Sequence, residues 1–250
     1  MVAITVVGRI VANAGSLVSL HGCSVTSTAT TPLYVAPNGA MELVDTEVIG
    51  GALDQFTVFA DNQSRLSAHG GRFTAKSYTA LATGGTAAVT LSNVDIQNSS
   101  QDWVDMYAYG TASLTLDNCR LRSTGSNVLK ASERSRWKIQ GSEIECQAES
   151  VPAINAHGQS SMELRDCHVM GTRAEGIVIW ESSSVTLIGC DVTSTASEQA
   201  ALHMQGDDRL TADQGRFAGS ASYALSASGS VVNPWDVCER LLADLRRRDP

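Results

Sequence analysis

The sequence has few aromatic residues, few prolines and no long apolar run. Aromatic residues make up 5% of its 250 residues, and there are 5 prolines. No apolar stretch approaches the roughly 20 residues that a bilayer-spanning helix needs, so we expect no membrane segment. The start of the chain carries neither a basic segment nor a long apolar one. We therefore expect no secretory signal peptide and a cytoplasmic location.

Clusters of basic residues are also scarce. The formal net charge is −8, and the one basic run is Arg246–Arg248 near the C-terminus. A polyanion would be repelled on average, which argues against a nucleic-acid partner. No glycine-rich loop follows a predicted strand and opens a helix, as a phosphate-binding loop does, and we expect no bound cofactor.

What the sequence does contain is a repeat. Small or turn-associated residues recur at alternating steps of 23 and 25, which gives a period of 48 residues. The nine anchor positions of this repeat are Cys23, Thr46, Gly71, Val94, Cys119, Ser142, Cys167, Cys190 and Gly215. Mostly apolar residues lie two positions after each anchor and three and five positions before it, with the alternation of a β-strand. Each unit therefore contains about three short strands and no helix.

Three repeat architectures have periods in this range. A leucine-rich repeat would need helical return segments, and the returns here are rich in Ser, Thr and Gly. A propeller blade would not consist of two similar halves, whereas the coils of a parallel β-solenoid must match one another. In coil length and pattern the chain resembles the right-handed parallel β-helix, or pectin-lyase-like, superfamily. The resemblance implies an all-β domain of about nine right-handed coils over residues 1–230.

The residue after each anchor supports this register. It is predicted to point outward, and from the second coil to the ninth it alternates between acidic and basic types. The series is Ser24, Glu47, Arg72, Asp95, Arg120, Glu143, His168, Asp191 and Arg216. Opposite charges on neighbouring strands attract, and a slip of one coil would place like charges together. We interpret the series as a structural charge ladder; the alternative is a charged binding stripe.

The cysteines fit a buried, reduced core. Four of the 6 cysteines occupy anchor positions, where Gly, Thr, Val and Ser are also found, so the position requires a small residue. Cys167 and Cys190 should face each other on adjacent coils, where a disulfide is geometrically open. We expect free thiols, as in a cytosolic protein. No Cys-x-x-Cys pair is present, and we expect no metal site.

The two ends of the solenoid are predicted to differ. Residues 231–250 should form a helix, because Asn233 and Pro234 are favourable at its start and Leu241, Leu242 and Leu245 lie on one apolar face. This helix either caps the last coil or links it to a further domain. At the other end, the apolar segment from Val2 to Val7 should form an open edge strand through which the chain could self-associate.

One face mixes aromatic and polar side chains at outward positions of a strand. We predict a ligand or partner site there, formed by Asp105, Tyr107, Lys130, Asn155, Trp180 and His203. Aromatic rings beside hydrogen-bonding groups suit sugar rings or a protein hot spot. An ion pair between Asp105 and Lys130 is as compatible with the spacing as an acid/base pair. A weaker alternative is a metal patch at His157 and His203.

Two classes of function stay open on the sequence. The first is a non-catalytic scaffold or binding module that presents a rigid face to a protein or polysaccharide partner. The second follows from the resemblance, whose catalytic members act on acidic or neutral polysaccharides through calcium-binding carboxylates with a basic residue, or through clustered Asp residues. Neither set matches convincingly, so no catalytic residue is assigned. A lyase or hydrolase would have to use Asp105, Lys130, Glu181 and His203. The short, regular units leave no room for the long loops that form clefts in active members, which favours the binding module.

Overall fold

The computed structural model describes residues 4–219, 224–228 and 231–233. Thirty short strands follow one another in this part of the chain, which contains no helix. The first ten are β1 (Ile4–Val7), β2 (Ile10–Ala12), β3 (Leu17–His21), β4 (Cys23–Ser27), β5 (Leu33–Val35), β6 (Ala40–Val44), β7 (Glu47–Gly50), β8 (Val58–Ala60), β9 (Arg65–His69) and β10 (Arg72–Ala75). The next ten are β11 (Leu81–Thr83), β12 (Ala88–Ser92), β13 (Asp95–Asn98), β14 (Met106–Ala108), β15 (Ser113–Asp117), β16 (Arg120–Ser123), β17 (Leu129–Ala131), β18 (Arg136–Gln140), β19 (Glu143–Cys146) and β20 (Ile154–Ala156). The last ten are β21 (Ser161–Arg165), β22 (His168–Gly171), β23 (Ile177–Ile179), β24 (Ser184–Ile188), β25 (Asp191–Ser194), β26 (Leu202–Gln205), β27 (Arg209–Asp213), β28 (Arg216–Gly219), β29 (Leu225–Ser228) and β30 (Val231–Asn233).

The strands form three parallel sheets of ten strands each, and every third strand belongs to the same sheet. The first sheet runs from β1 through β4 to β28, the second from β2 through β5 to β29, and the third from β3 through β6 to β30. This is a right-handed parallel β-solenoid, as predicted. The nine predicted coils correspond to β3–β29, and β1, β2 and β30 extend the solenoid to about ten turns.

The alternating steps of 23 and 25 residues have a single structural origin. The loops that lead from the first sheet to the second alternate between five residues, as in 28–32 and 76–80, and seven, as in 51–57 and 99–105. The other two corners keep a nearly constant length along the described coils. All of the regular length variation therefore falls on one corner of the solenoid.

The core consists of stacked rows of inward side chains. The apolar residues two positions after the anchors, from Val25 to Val192, are fully buried in the first sheet. Trp137 and Phe73 are the largest fully buried side chains. Burying one such side chain stabilises the fold by roughly 1.5–3 kcal/mol relative to leaving it exposed. Because each residue lies on its equivalent in the next coil, one coil's core continues directly into the next.

The turns before the anchors need a left-handed backbone. Asp45, Asn93 and Asn118 adopt positive φ angles of 47°, 56° and 51° there. Gly70 takes the same position with φ 67°, and a β-carbon on it would collide with the side chain of Asp45 one coil below. A β-carbon on Gly141 or Gly189 would likewise collide with the side chain of Asn118 or Asp166 one coil below, so glycine is favoured at these turns.

The charge ladder has the predicted register. Glu47 pairs with Arg72, Arg72 with Asp95, and the series continues to Arg216. Arg72 Nε lies 3.0 Å from Asp95 Oδ2, and Arg120 Nε lies 2.7 Å from Glu143 Oε2. Exposed pairs of this kind contribute only about 0–1 kcal/mol each. Their main effect is to favour the correct register over a slipped one.

Five cysteines lie in the described part of the chain, and all five are buried and unpaired. The thiols of Cys167 and Cys190 each donate to backbone carbonyl oxygens, at 3.1 Å to Arg165 and 3.4 Å to Ile188. Buried thiols that donate to carbonyls act as small apolar residues. Cys238 and the predicted C-terminal helix lie outside the described residues, while β30 pairs with β27 in the first part of the range assigned to that helix.

Asp105 departs from the sequence-based prediction. It was placed on the outer face, two positions before Tyr107, but it is completely buried. Alternation fails here because β14 begins only at Met106, so Asp105 is the last residue of the seven-residue loop 99–105. The carboxyl points inward, and the predicted ion pair or acid/base pair with Lys130 is absent from the described structure.

The buried carboxyl is poorly satisfied. Neither oxygen of Asp105 has a hydrogen-bond partner, and the nearby Asn98 amide donates to the carbonyls of Trp103 and Val104 instead. Burial raises the pKa of Asp105 well above its ordinary value, and the neighbouring Ser123 and Asn98 side chains offset only part of this effect. Burial thus favours the neutral form of this carboxyl over the charged form.

This burial predicts a pH-dependent stability. Below the pKa of the unfolded chain, about 3.9, Asp105 is protonated in both states and the free energy of unfolding is unaffected. As the pH rises towards the folded pKa, only the unfolded chain ionises, so stability falls by about 1.4 kcal/mol per pH unit. Asp105→Asn should remove this loss, and its advantage over wild type in urea unfolding should grow as the pH rises above about 4.

Asp102→Asn is the matched control, because Asp102 is exposed in the same loop. Because Asp102 is not removed from water, its replacement should not show the pH-dependent gain expected for Asp105→Asn. A constant difference for Asp105→Asn would show that the carboxyl is ionised, and hence hydrated, in the folded protein.

The N-terminal edge of the first sheet is open in the described structure. β1 pairs only with β4, and Ile4 and Val7 on it are 60% and 85% exposed. An unpaired strand edge is a template for another chain, and a charged residue at the edge blocks it. Ile4→Lys should therefore abolish concentration-dependent self-association in sedimentation velocity. Thr115→Lys, at an exposed residue on the outer face of the third sheet, should leave it unchanged; a wild-type chain that stays monomeric would refute the prediction.

Candidate functional site

The outer face of the second sheet carries one row of outward side chains, one from each strand. In register, the row is Val11, Tyr34, Phe59, Ala82, Tyr107, Lys130, Asn155, Val178, His203 and Ser226. Strands are about 4.8 Å apart in the pairing direction, so neighbouring side chains in the row are within contact distance. We call this the outer row.

Three predicted site residues are direct neighbours in the outer row. Tyr107, Lys130 and Asn155 lie on consecutive strands, and the Lys130 ammonium sits 5.8 Å from the centre of the Tyr107 ring. His203 is in the same row but is separated from Asn155 by the strand that carries Val178. The structure thus brings three of the six predicted residues together and places a fourth nearby.

Trp180 lies beside the outer row rather than in it. It follows β23 directly, and its backbone nitrogen donates to Ala156 at 2.9 Å, which places it next to His157 on the preceding coil. The side chain is 43% exposed. The row residue of this coil is Val178, two positions earlier. Trp180 was assigned to the row by counting from the anchor, and the count is two too long in a coil whose loop has five residues rather than seven.

Two polar atoms without partners lie among these residues. Asn155 Oδ1 and His157 Nε2 are buried and have no hydrogen-bond partner. His157 Nδ1 lies 3.7 Å from Glu181 Oε2, too far for a hydrogen bond. We call Lys130, Asn155, His157, Trp180 and Glu181 the polar cluster.

The electrostatics of the cluster keep His157 neutral. Burial lowers the pKa of His157, the charge of Lys130 lowers it further, and Glu181 opposes both effects. A neutral imidazole presents one donor and one acceptor nitrogen. The cluster therefore offers an ammonium, an amide, a neutral imidazole and a carboxylate beside an exposed indole, a combination that can bind hydroxyl groups and a flat apolar surface together.

The metal patch suggested by His157 and His203 is not formed. His157 follows β20 and His203 lies on β26, with β23 between them, so they are not on adjacent strands. In the described ranges no group of three or more His, Cys, Asp and Glu side chains could hold a metal ion. Nor is any helix there long and apolar enough to cross a membrane.

A second feature of this side of the solenoid is a chain of touching aromatic rings. Tyr34 stacks on Phe59 at 5.6 Å between ring centres, Phe59 contacts Phe56 at 4.9 Å, and Phe56 contacts Tyr78 at 5.1 Å. Tyr78 contacts Trp103 at 4.2 Å. We call these five residues the aromatic ladder. It crosses four coils diagonally, from the outer row to the corner where the loop lengths alternate.

The sequence prediction missed most of this ladder. Phe56, Tyr78 and Trp103 lie in loops that precede β8, β11 and β14, where strand alternation gives no information. The signal that could have found them is their position, two or three residues before a strand of the second sheet in three successive coils. Tyr109 was also missed; it stacks on Tyr107 at 5.4 Å and covers Gly84, where a β-carbon would collide with its ring.

Comparison with known proteins supports the fold more strongly than any activity. No curated protein sequence matches the chain. Among solved structures, the A-module of the mannuronan C-5 epimerase AlgE6 from Azotobacter vinelandii is similar at 10% identity and a TM-score of 0.45, over 93% of this chain and 90% of that one. The family model described as "Right handed beta helix region" matches residues 8–192. With its three parallel sheets and matched coils, the chain belongs to this right-handed β-helix family.

Proposed function

We propose that this chain is a non-catalytic binding module whose second sheet presents a rigid outer face to a glycan or a protein. The observation that carries the proposal is the polar cluster, in which Asn155 Oδ1 and His157 Nε2 are buried without partners. A buried polar atom without a hydrogen bond is destabilising by about 1–3 kcal/mol. A rotation of the Asn155 amide or the His157 ring that turns its unpartnered atom toward a bound ligand would let the missing bond form and recover that free energy.

Of the two ligand classes, a glycan suits the polar cluster better. A sugar ring presents hydroxyl groups at its edge and an apolar face of C–H groups. Lys130, Asn155 and His157 can bond to the hydroxyls, while the exposed Trp180 indole offers a flat surface for the apolar face. Each requirement of the ligand is thus met by a neighbouring side chain on a rigid sheet.

The surrounding loops support binding on an open face. Loops between the first and second sheets have five or seven residues, and those between the second and third are shorter still. None of these loops is long enough to form a lid or a deep cleft over the outer row. Two further expectations stay proposals: self-association through β1, and a cytoplasmic location, which the five unpaired thiols support.

The proposal is tested by polysaccharide binding. Purified acidic and neutral polysaccharides should be screened by affinity electrophoresis and the affinity of a retained one measured by calorimetry. Lys130→Met, Asn155→Ala and Trp180→Ala should each weaken binding roughly two- to tenfold, the range expected for one hydrogen bond or ring contact.

Lys138→Met and Trp103→Ala are the matched controls. Lys138 is exposed on the outer face of the third sheet, on the strand that follows the strand of Lys130 in the chain. Trp103 is exposed to about the same degree as Trp180. Both should bind like wild type. Equal losses in the controls, or no polysaccharide retained in the screen, would rule out the polar cluster as a glycan site.

The second function, a carbohydrate-active enzyme, is favoured by one observation. His157 is neutral because of burial and Lys130, and the Glu181 carboxylate lies beside it, so a proton acceptor and a cation are adjacent. This differs from the set expected from the sequence, since Asp105 is buried and His203 lies two strands from Asn155. The site would need a neutral His157 as the base and Lys130 as the charge-stabilising group.

Product analysis separates the enzyme from the binding module. Any polysaccharide that binds should be incubated with the protein and assayed for unsaturated ends and for new reducing ends. The binding module predicts neither product. A product that forms with wild type and disappears in His157→Ala, with binding retained, would establish the enzyme instead.

A further inference from the structure

The aromatic ladder is an apolar surface that the polar cluster does not use. Its rings are half-buried at Tyr34, Phe56, Phe59 and Tyr78, and Trp103 is 40% exposed. Leu53, in the same loop as Phe56, is 78% exposed. In a chain with only 5% aromatic residues, five touching rings on the outer surface form a concentrated contact area. Surfaces of this kind mark interaction sites.

Carboxylates surround the ladder. Asp61 Oδ2 accepts a hydrogen bond from the Tyr34 hydroxyl at 2.9 Å. Asp54 lies close enough to Tyr78 to help burial raise the pKa of that hydroxyl. Asp102 precedes Trp103 in the chain, and Lys76 is the basic residue in the adjoining loop 76–80. With Arg9 at the Tyr34 end of the ladder, three carboxylates accompany two basic residues, so the ladder combines electron-rich ring faces with an excess of one negative charge.

The structure already contains an example of the contact that this surface favours. The guanidinium carbon of Arg9 lies 4.7 Å from the centre of the Tyr34 ring, at the end of the ladder. That is closer than the 5.8 Å of the Lys130 ammonium over Tyr107. A guanidinium is planar, stacks on aromatic faces and pairs with carboxylates through two parallel hydrogen bonds, which an ammonium cannot do.

We infer that the aromatic ladder is a docking surface for an arginine-bearing segment of a protein partner, whose guanidinium groups stack on Phe56, Phe59, Tyr78 and Trp103 and pair with Asp54 and Asp102. The excess of carboxylates selects a basic partner by charge complementarity. A second copy of this chain fits less well, because a net charge of −8 on each copy opposes their approach. This site is separate from the polar cluster and does not depend on glycan binding.

The probe is a fluorescent peptide of arginines separated by Gly-Ser, compared with the same peptide carrying lysine or citrulline in place of arginine. Fluorescence polarisation should show the arginine peptide binding more tightly than the lysine peptide, and the uncharged citrulline peptide not binding. Trp103→Ala should weaken binding of the arginine peptide roughly fivefold, and Trp103→Phe should restore most of it because a ring is retained. Asp54→Asn should weaken binding and increase its tolerance to salt.

Matched controls separate the ladder from general charge attraction. Trp180→Ala removes an equally exposed indole from the polar cluster, and Asp117→Asn removes an exposed carboxylate from the outer face of the third sheet. Both should bind the arginine peptide like wild type. Trp103 and Trp180 serve as each other's control. If the arginine peptide does not bind, the result for polysaccharide binding is unaffected, and if no polysaccharide binds, the result for the arginine peptide is unaffected.

Three results would overturn the inference. The first is absence of binding by the arginine peptide. The second is equal binding of arginine and lysine peptides without an effect of Trp103→Ala, which would show attraction by net charge alone. The third is a dimer in sedimentation velocity that Trp103→Ala abolishes while Ile4→Lys does not, which would show that the ladder is occupied by a second copy.

Discussion

Parallel pairing between equivalent residues of successive coils is the constraint on which this structure depends. Ile96 lies on Phe73 and beneath Leu121, and the same holds at every paired position. Each residue must therefore be compatible with its equivalents one coil above and below. Small anchors, left-handed turn residues and apolar inward residues recur because each coil meets the same neighbours. Side-chain properties consequently occur as rows along the axis, and so do the functional surfaces.

The constraint is relaxed at one corner. Between the first and second sheets the chain can contain five or seven residues without disturbing the pairing, because the extra two residues lie in the loop before the strand of the second sheet begins. Phe56 and Trp103 belong to the longer loops and Tyr78 to a shorter one between them. The aromatic ladder thus forms at the corner where the loop length changes from coil to coil, beside a sheet whose geometry is fixed.

The same distinction explains what could be predicted from the sequence. The register of Glu47, Arg72 and Asp95 was predictable because it follows from a fixed period and from strand alternation. Asp105 was misplaced because it is a loop residue, to which neither rule applies. The position predicted for Trp180 was wrong by two residues for a related reason, because the loop before its strand has five residues where the neighbouring coils have seven. Contacts between loops, such as Tyr78 with Trp103, depend on side-chain directions that no period encodes.

The outer faces of the first and second sheets differ in what surrounds their polar side chains, and this difference supports the proposed function. On the first sheet Arg72, Arg120 and Arg122 each lie within ion-pair distance of a carboxylate on the next coil, although Asp95 Oδ1 and Arg122 Nε have no hydrogen-bond partner. On the second sheet Asn155 and His157 have buried atoms without partners beside an exposed Trp180. Repeat pairing stabilises the rod without help from that face, because the stacked core lies entirely inside. The second sheet can therefore keep unsatisfied polar groups and exposed rings for a ligand while the first sheet and the core maintain the fold.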